Sequence, residues 1–333
     1  MEILTMKQLR FFTNLITQII LSWLVLFPSQ SIAQVDYPNR PVRLVVGFSP
    51  GGLSDVMARA IANRLSLSMG QQVIVENKVG AGSTIAGDYI SKSAPDGYNI
   101  WLQDMTNHAI NASLYKKLSY DSINDFTPVS NIGISPLLLV THPSQPIKSV
   151  QELISIIKSN PHRYAYASAG TGTGNHLAAE LLRGMAGLDV THIPYKGSTP
   201  SVLAMLSNET LFSFVTLPAA MPHVLSGKLR ALAVTTPTRV SAAQDIPTMI
   251  ESGLNLEIAS VSGILLPARV PLAIVNRLNA EFLKAISSDE VRAVFAKIGA
   301  EPTGTTPQQM ATEMQRDIAK FVPLVKASGA SAD

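Results

Sequence analysis

The sequence predicts an α/β fold of two mostly parallel sheets, each flanked by helices, and three observations carry that expectation. Short apolar runs such as Arg43–Phe48 have the continuous character of strands buried on both faces. Each run is broken by glycine, serine or proline and followed by apolar residues at helical spacing. The strand–loop–helix order then occurs twice along the chain, which puts helices on both faces of two parallel sheets. The length of 333 residues agrees, since about 150 residues per domain gives roughly two.

Residues 1–33 stand apart. Lys7 and Arg10 form a short positive region, Phe11 to Phe27 carries no charge, and Pro28 to Ala33 ends with small residues at Ser31 and Ala33. That is the pattern of a secretory signal with an A-x-A-like cleavage site. An uncleaved anchor is the alternative. The uncharged segment is at the short end of the ~17–25 residues needed to span a bilayer, and Thr13, Asn14, Thr17 and Gln18 weaken it further. Cleavage near Ala33 and a periplasmic mature chain are therefore expected.

In the mature chain, Arg43–Phe48 is the first strand and Ser49-Pro50-Gly51-Gly52 breaks it; Met57, Ile61 and Leu65 then mark a helix. Gln72–Glu76 is a second strand, Val79–Ser83 a break, and a helix follows to about Ser93. Tyr98–Leu102 is a third strand, after the turn at Pro95-Asp96-Gly97. The second unit runs through a strand at Arg163–Ala167, a glycine-rich loop at Ser168–Gly174, and a helix through Leu177, Leu181 and Met185 that ends at Gly187. A strand at Asp189–Ile193, a loop at Gly197–Pro200, a helix at Val202–Leu206 and a strand at Leu211–Thr216 complete it. Ile134–Val140 and Val261–Leu266 are candidate strands crossing between the units. Near the C-terminus, Thr306-Pro307-Gln308-Gln309 reads as an N-cap, a proline at N1 and a capping-box glutamine, ahead of the apolar stripe Met310, Met314, Ile318, Phe321 and Val325.

Composition excludes several chemistries. The chain has no cysteine, which removes disulfides, thiolate metal sites and a cysteine nucleophile. The formal net charge is only +3 and no Lys/Arg run tracks phosphates, so no nucleic-acid partner is expected. The six histidines, His108, His142, His162, His176, His192 and His223, lack metal-ligand spacing. ATP and NAD are scarce outside the cytoplasm, so no cofactor is expected either.

The loops at the strand ends decide what remains. Ser49 to Ser54 and Ser168 to Asn175 contain no charge. They offer backbone N–H groups and the hydroxyls of Ser54, Ser168, Thr171 and Thr173, each loop leading into a helix N-terminus. Such an end holds a small anion without a cationic side chain. In open parallel sheets, ligands sit beyond the carboxyl ends of the strands, so these loops should face one another across a cleft. A carboxylate fits better than a phosphate, since no P-loop lysine is present. His176 either donates to the ligand or bonds at its helix terminus. His108 either reaches the cleft or lies at the surface. Lys196 either adds field to the cleft or is solvated, and Asp55 is read as a favourable charge in a first helical turn. Gly47-Phe48-Ser49-Pro50-Gly51 matches a nucleophile elbow, so an exported serine hydrolase is a remote alternative. Pro50, however, has no N–H to lend to an oxyanion hole. No catalytic residue is expected. Gly170 to Gly174 places its third glycine one position early for a dinucleotide loop.

Taken in order, the motifs YPNRPVRLVVGFSPGGLSD (37–55), VIVENKVGAGSTIAGDYISKSAPDGY (73–98), INASLYKKLSYDSINDFTPVS (110–130), YASAGTGTGNHLAAELL (166–182), THIPYKGSTP (191–200) and GKLRALAVTT (227–236) resemble the receptors of tripartite tricarboxylate transporters, also called the Bordetella uptake gene family. The resemblance runs from about Tyr37 to the C-terminus. It implies a two-domain periplasmic binding protein of type II-like fold, joined by two hinge strands that close on a ligand. Domain 1 would comprise residues 36–137 and 262–333, and domain 2 residues 138–261. It also implies a small carboxylate ligand and membrane permease subunits as partners, or a sensor protein in the alternative case of a signalling receptor, and a monomer. The ligand carboxylate would be held by Phe48, Gly51, Gly52, Ser168, Gly170, Thr171 and Thr173. Thr106 and Asn107 lie in the loop after the third strand, which also lines family clefts; Ser54, His176 and Thr216 complete the candidate set. The sequence departs from the family where many members carry Asp after the strand ending at Val215, since this chain has Thr216. That missing carboxylate disfavours ligands that need an ammonium partner. Asp104 and His108 are also less typical.

Overall fold

The computed structural model describes residues 37–328; the export segment expected at 1–33 lies outside them. Strand β1 (Val42–Val46) runs parallel between β2 (Val73–Asn77) and β3 (Asn99–Asp104). β9 (Ala259–Pro267) joins β3 antiparallel, and β4 (Phe126–Thr141) joins β9 antiparallel. The short β10 (Glu301–Pro302) pairs with β4 at Gly133 and Ile134. Farther along, β4 lies between β7 (Phe212–Thr216) and β8 (Arg230–Val234), both antiparallel to it. β5 (Ala165–Ser168) is parallel to β7, and β6 (Thr191–Pro194) is parallel to β5.

As expected, each half has a parallel set, β2-β1-β3 and β7-β5-β6, and a crossing strand, β4, passes between them. It joins the halves into one hydrogen-bonded path, β2-β1-β3-β9-β4-β7-β5-β6, with antiparallel strands in its middle. β4 is 16 residues long. Up to Pro136 it pairs with β9, and from Leu137 onward with β7. Proline has no N–H to give a ladder, so an exchange of partners falls naturally there. Each half then repeats one order, with its second, first and third strands followed by a return strand and β4, or by β4 and a return strand.

Side-chain alternation explains the continuous apolar runs. Val42, Leu44 and Val46 of β1 enter one core cluster while Val45 enters another. Likewise Leu137 and Leu139 of β4 point into one cluster of the second half and Leu138 and Val140 into the other. Both faces are buried, so both must be apolar.

Helix α1 (Leu53–Met69) packs its expected stripe Met57, Ile61 and Leu65 on the first sheet at zero exposure and ends at Gly70, whose φ of 69° suits a left-handed cap. On the same face lie α8 (Leu272–Ile286) and α9 (Asp289–Lys297). α2 (Thr84–Ser91) covers the opposite face through Ala86 and Ile90. In the second half, α4 (Val150–Ser159) and α5 (Gly174–Ala186) cover one face. α6 (Ser198–Leu206) and α7 (Leu217–Leu225) cover the other.

Two helices give buried side chains to the cores of both halves. α3 (Met105–Leu114) gives Met105 to a first-half cluster and Ala109, Ile110 and Leu114 to a second-half cluster. α10 (Pro307–Ser328) starts as expected: Thr306 N–H donates to Gln309 Oε1 at 2.9 Å and Gln309 N–H to Thr306 Oγ1 at 3.2 Å. Its stripe is divided, with Met310 and Met314 in a first-half cluster and Phe321 and Val325 in a second-half one. No helix among the described residues is long and apolar enough to cross a membrane.

Candidate functional site

The carboxyl ends of β1, β3, β5, β6 and β7 face a common space, β3 and β7 passing directly into a helix and the others through a short loop. β1 leaves through Gly47 to Gly52. An added Cβ at Gly47 would lie 1.7 Å from Ser83 Oγ, a hydroxyl already bonded to the buried Gln103 at 2.8 Å, so only glycine fits. Asp55 fastens this loop. It accepts from Gly51 N–H at 2.9 Å, from Arg59 Nε at 3.0 Å and from Asn77 Nδ2 at 3.0 Å. Burial pushes the Asp55 carboxyl up, but the hydrogen bonds from Arg59, Gly51 and Asn77 outweigh it and hold it below the usual range.

The third loop of the sequence reading is instead the first turn of α3. Asp104 caps it by accepting from Asn107 N–H at 3.0 Å, so Thr106 and Asn107 are helical. Similarly, the Gly197–Pro200 loop shrinks to an N-cap glycine with α6 starting at Ser198.

The Ser168–Thr173 loop is braced from behind. Thr173 Oγ1 donates to Gly170 C=O at 2.7 Å and accepts from His176 N–H at 3.2 Å, making it the N-cap of α5. Gly170 N–H donates to Ser168 Oγ at 3.1 Å, and that hydroxyl meets His192 Nε2 at 2.7 Å. The His176 and His192 rings stack at 4.0 Å, with Tyr166 4.8 Å from His192. Gly172 N–H donates to His176 Nδ1 at 3.4 Å. Burial pushes His176 down to about 4; burial and then the neighbouring His176 push His192 down to about 3. Both rings are neutral at pH 7, and they position the loop.

The halves meet over this space. Thr199 Oγ1 donates to Pro50 C=O at 3.1 Å, and Gly174 N–H donates to Asn107 Oδ1. Between them lies a cavity of about 320 Å3, walled by Gly47 and Phe48, by the 79–83 loop, by Ala169 to Thr171, and by Tyr195 and Lys196. Phe48 and Ala169 separate it from a smaller space of about 20 Å3, room for about one water. Around that smaller space stand the N-termini of five helices: Gly52 to Ser54 of α1, Asp104 and Asn107 of α3, Asn175 of α5, Ser198 of α6 and Thr216 of α7. First-turn N–H groups lack intrahelical partners and carry the positive end of the helix dipole. Thr216 Oγ1 is buried there with no hydrogen-bond partner.

Of the twelve residues the sequence singled out, Phe48, Gly52, Ser54, Asn107, Gly170, Thr171 and Thr216 line these cavities. Gly51, with φ +79°, shapes the turn; Thr106 Oγ1 donates to Ala259 C=O at 2.8 Å; Ser168, Thr173 and His176 form the brace. His108 is fully buried, with Nε2 2.7 Å from Ser122 C=O, and reaches neither cleft nor surface. Lys196 does line the larger cavity. Ser49 Oγ has no hydrogen-bond partner, so no base contacts it. The sequence reading missed Ser198, Asn175 and Ser260 in the smaller space, and the 79–83 loop and Tyr115 in the larger. Ser198 and Asn175 adjoin glycine loops and were within reach of that signal. Ser260 is the second residue of β9 and carried none. Among the described residues no group of acidic or histidine side chains is placed to hold a metal.

Two α/β halves that share a crossing strand and turn their strand ends toward a common cleft define a solute-binding protein of the periplasmic kind. The profile of the tripartite tricarboxylate transporter family receptor matches residues 57–330. This chain belongs to that family, whose members are periplasmic solute-binding proteins. Protein BugT of Bordetella pertussis is 36% identical over 88% of this chain and 91% of its own length. Among solved structures, R. palustris Rpa4515 with adipate is 36% identical, with a TM-score of 0.85, over 89% of this chain and 99% of that one. MatC (Rpa3494) from Rhodopseudomonas palustris with bound malate is 29% identical, with a TM-score of 0.83, over 87% and 100%.

Proposed function

We propose that this receptor captures a small carboxylate between its two halves by hinge closure and delivers it to the membrane subunits of a tripartite tricarboxylate transporter. The observation that carries the reading is the convergence of five helix N-termini on a space lined by no lysine, arginine or histidine. Hydroxyls and backbone N–H groups supply the attraction that an arginine would otherwise provide. The adipate and malate bound by the two R. palustris relatives support the ligand class. Phe48, Gly52, Ser54, Gly170, Thr171 and Thr216 are the residues proposed to touch the ligand, with Gly51, Thr106, Asn107, Ser168, Thr173 and His176 holding them in place. The moving bodies are residues 36–137 with 262–333, and 138–261. The exchange of partners in β4 at Pro136 and Leu137 supports that division. Export would precede this, with cleavage near Ala33. Ligand binding that favours the shut form shifts the population toward it.

A melting screen over mono-, di- and tricarboxylates tests the reading. A ligand at a hundredfold excess over its Kd should add about 2.7 kcal/mol of stability. No shift with any acid, together with no co-purified acid in native mass spectrometry, would overturn it.

A further inference from the structure

One group in the smaller cavity has no part in holding a carboxylate. Asp104 ends β3, is 8% exposed and lines the cavity directly. Its carboxylate accepts from Asn107 N–H at 3.0 Å, from the backbone of Thr106 and from Ser260 Oγ. A carboxylate offers about four acceptor positions, so one remains for a ligand. The other polar side chains around the space, on Ser54, Asn107, Asn175, Ser198, Thr216 and Ser260, are all uncharged. Among the described residues lining it, Asp104 therefore carries the only charge, and that charge is negative. Capping α3 does not require a charge, since asparagine and serine cap as well as aspartate.

The sequence reading placed the decisive carboxylate position at 216 and found threonine there. The structure supplies a carboxylate to the same cavity from a different strand.

We propose that Asp104 is a specificity-determining residue that selects carboxylates bearing a hydrogen-bond donor, a protonated amine or a hydroxyl, beside the bound acid group. The inference rests on reading the cleft as a carboxylate site. A bare acid would set a second negative charge against Asp104 in a poorly solvated space. A hydroxyl fills the open acceptor position, and an ammonium also cancels the charge, so amines rank above alcohols and alcohols above bare acids.

The test is calorimetric titration of the mature receptor with matched trios, namely succinate, malate and aspartate, and propionate, lactate and alanine. Wild type is compared with Asp104→Asn and Asp104→Ser, both of which keep a cap for α3. In at least one trio the donor-bearing acids should bind wild type about tenfold or more tighter than the bare acid. In both variants that preference should shrink to within about threefold, while the unliganded variants still melt cooperatively. A bare acid that equals its amine and alcohol counterparts on wild type, or a preference that survives both substitutions, would overturn the proposal. Failure of every acid to bind wild type would instead overturn the carboxylate reading, and this proposal with it.

Discussion

Asp104, at the end of β3, is the carboxylate among the residues lining the smaller cavity. The sequence marked it as unusual but could not show that the end of β3 turns it into the cavity beside Thr216 and Ser260. Such a placement brings together residues 156 positions apart, with no local signature. Its burial has a pH signature, since desolvation pushes the carboxyl up to about 6 from 3.8 against the hydrogen bonds of Ser260, Asn107 and Thr106. The folded-state value is the higher one, so its contribution to stability is full below about pH 4 and is lost as pH rises through 6. Relative to Asp104→Asn, wild type should lose about 2–3 kcal/mol of unfolding free energy between pH 4 and 7. Urea denaturation of both proteins at the two pH values checks this, and parallel pH dependences would refute it. Gly47 makes a second residue-scale prediction. Gly47→Ala forces a methyl onto Ser83 Oγ, and overpacking of that kind costs about 1–3 kcal/mol. A lowered melting temperature should be accompanied by weaker ligand binding, because Gly47 and Ser83 line the same cavity.

At the level of elements, most strands and the helices α1, α2, α5, α6 and α10 were legible, the strands because both sheet faces are buried and the apolar runs are therefore unbroken. Among the helices not read from the sequence, α3 matters most to the site. Its first turn, Met105-Thr106-Asn107-His108, is largely polar, and its apolar residues face two different cores rather than one. No single stripe announces it. The glycine loop at 168–173 was found from its composition, but its brace was not. His192 comes from β6 and meets His176 only through the fold. The brace predicts an acid limit. Both rings have folded-state values depressed below 6.5, His176 to about 4 under burial and then Arg183, and His192 to about 3 under burial and then His176, with Glu180 opposing. Their stabilising contribution is complete above pH 6.5 and is lost as pH falls toward 4 and below. For the well-buried His176 alone the loss is about 2–3 kcal/mol. His176→Gln should flatten the decline of stability between pH 6.5 and 4, a change opposite in direction to that from Asp104→Asn. An unchanged slope would show that the ring titrates normally.

For the whole molecule, the twofold repetition of the unit was visible in the sequence, while the joining of both units into one hydrogen-bonded path was not. The joint depends on β4 continuing past Pro136 into a second set of partners, and periodicity cannot show where a strand changes neighbours. Closure of the halves should be measurable through Thr199, whose hydroxyl bonds Pro50 C=O across the cleft. Thr199→Ala removes that neutral hydrogen bond between the halves, and if it forms on closure the loss corresponds to about two- to tenfold weaker binding. The effect should be the same for every ligand, and titration of two unlike acids would reveal any inequality.

Helix α10 anchors its first turns in one core and its last in the other. The proposed swing of the halves would have to shear the packing of Phe321 or Met310. Observed affinity is intrinsic affinity scaled by the fraction of molecules already competent to bind, and on that reading the fraction would be set in part along a helix tail that lines neither cavity. Affinity and selectivity would then be separable traits. Changes along the tail can raise or lower the grip on all ligands together, while the choice among them stays with the strand ends.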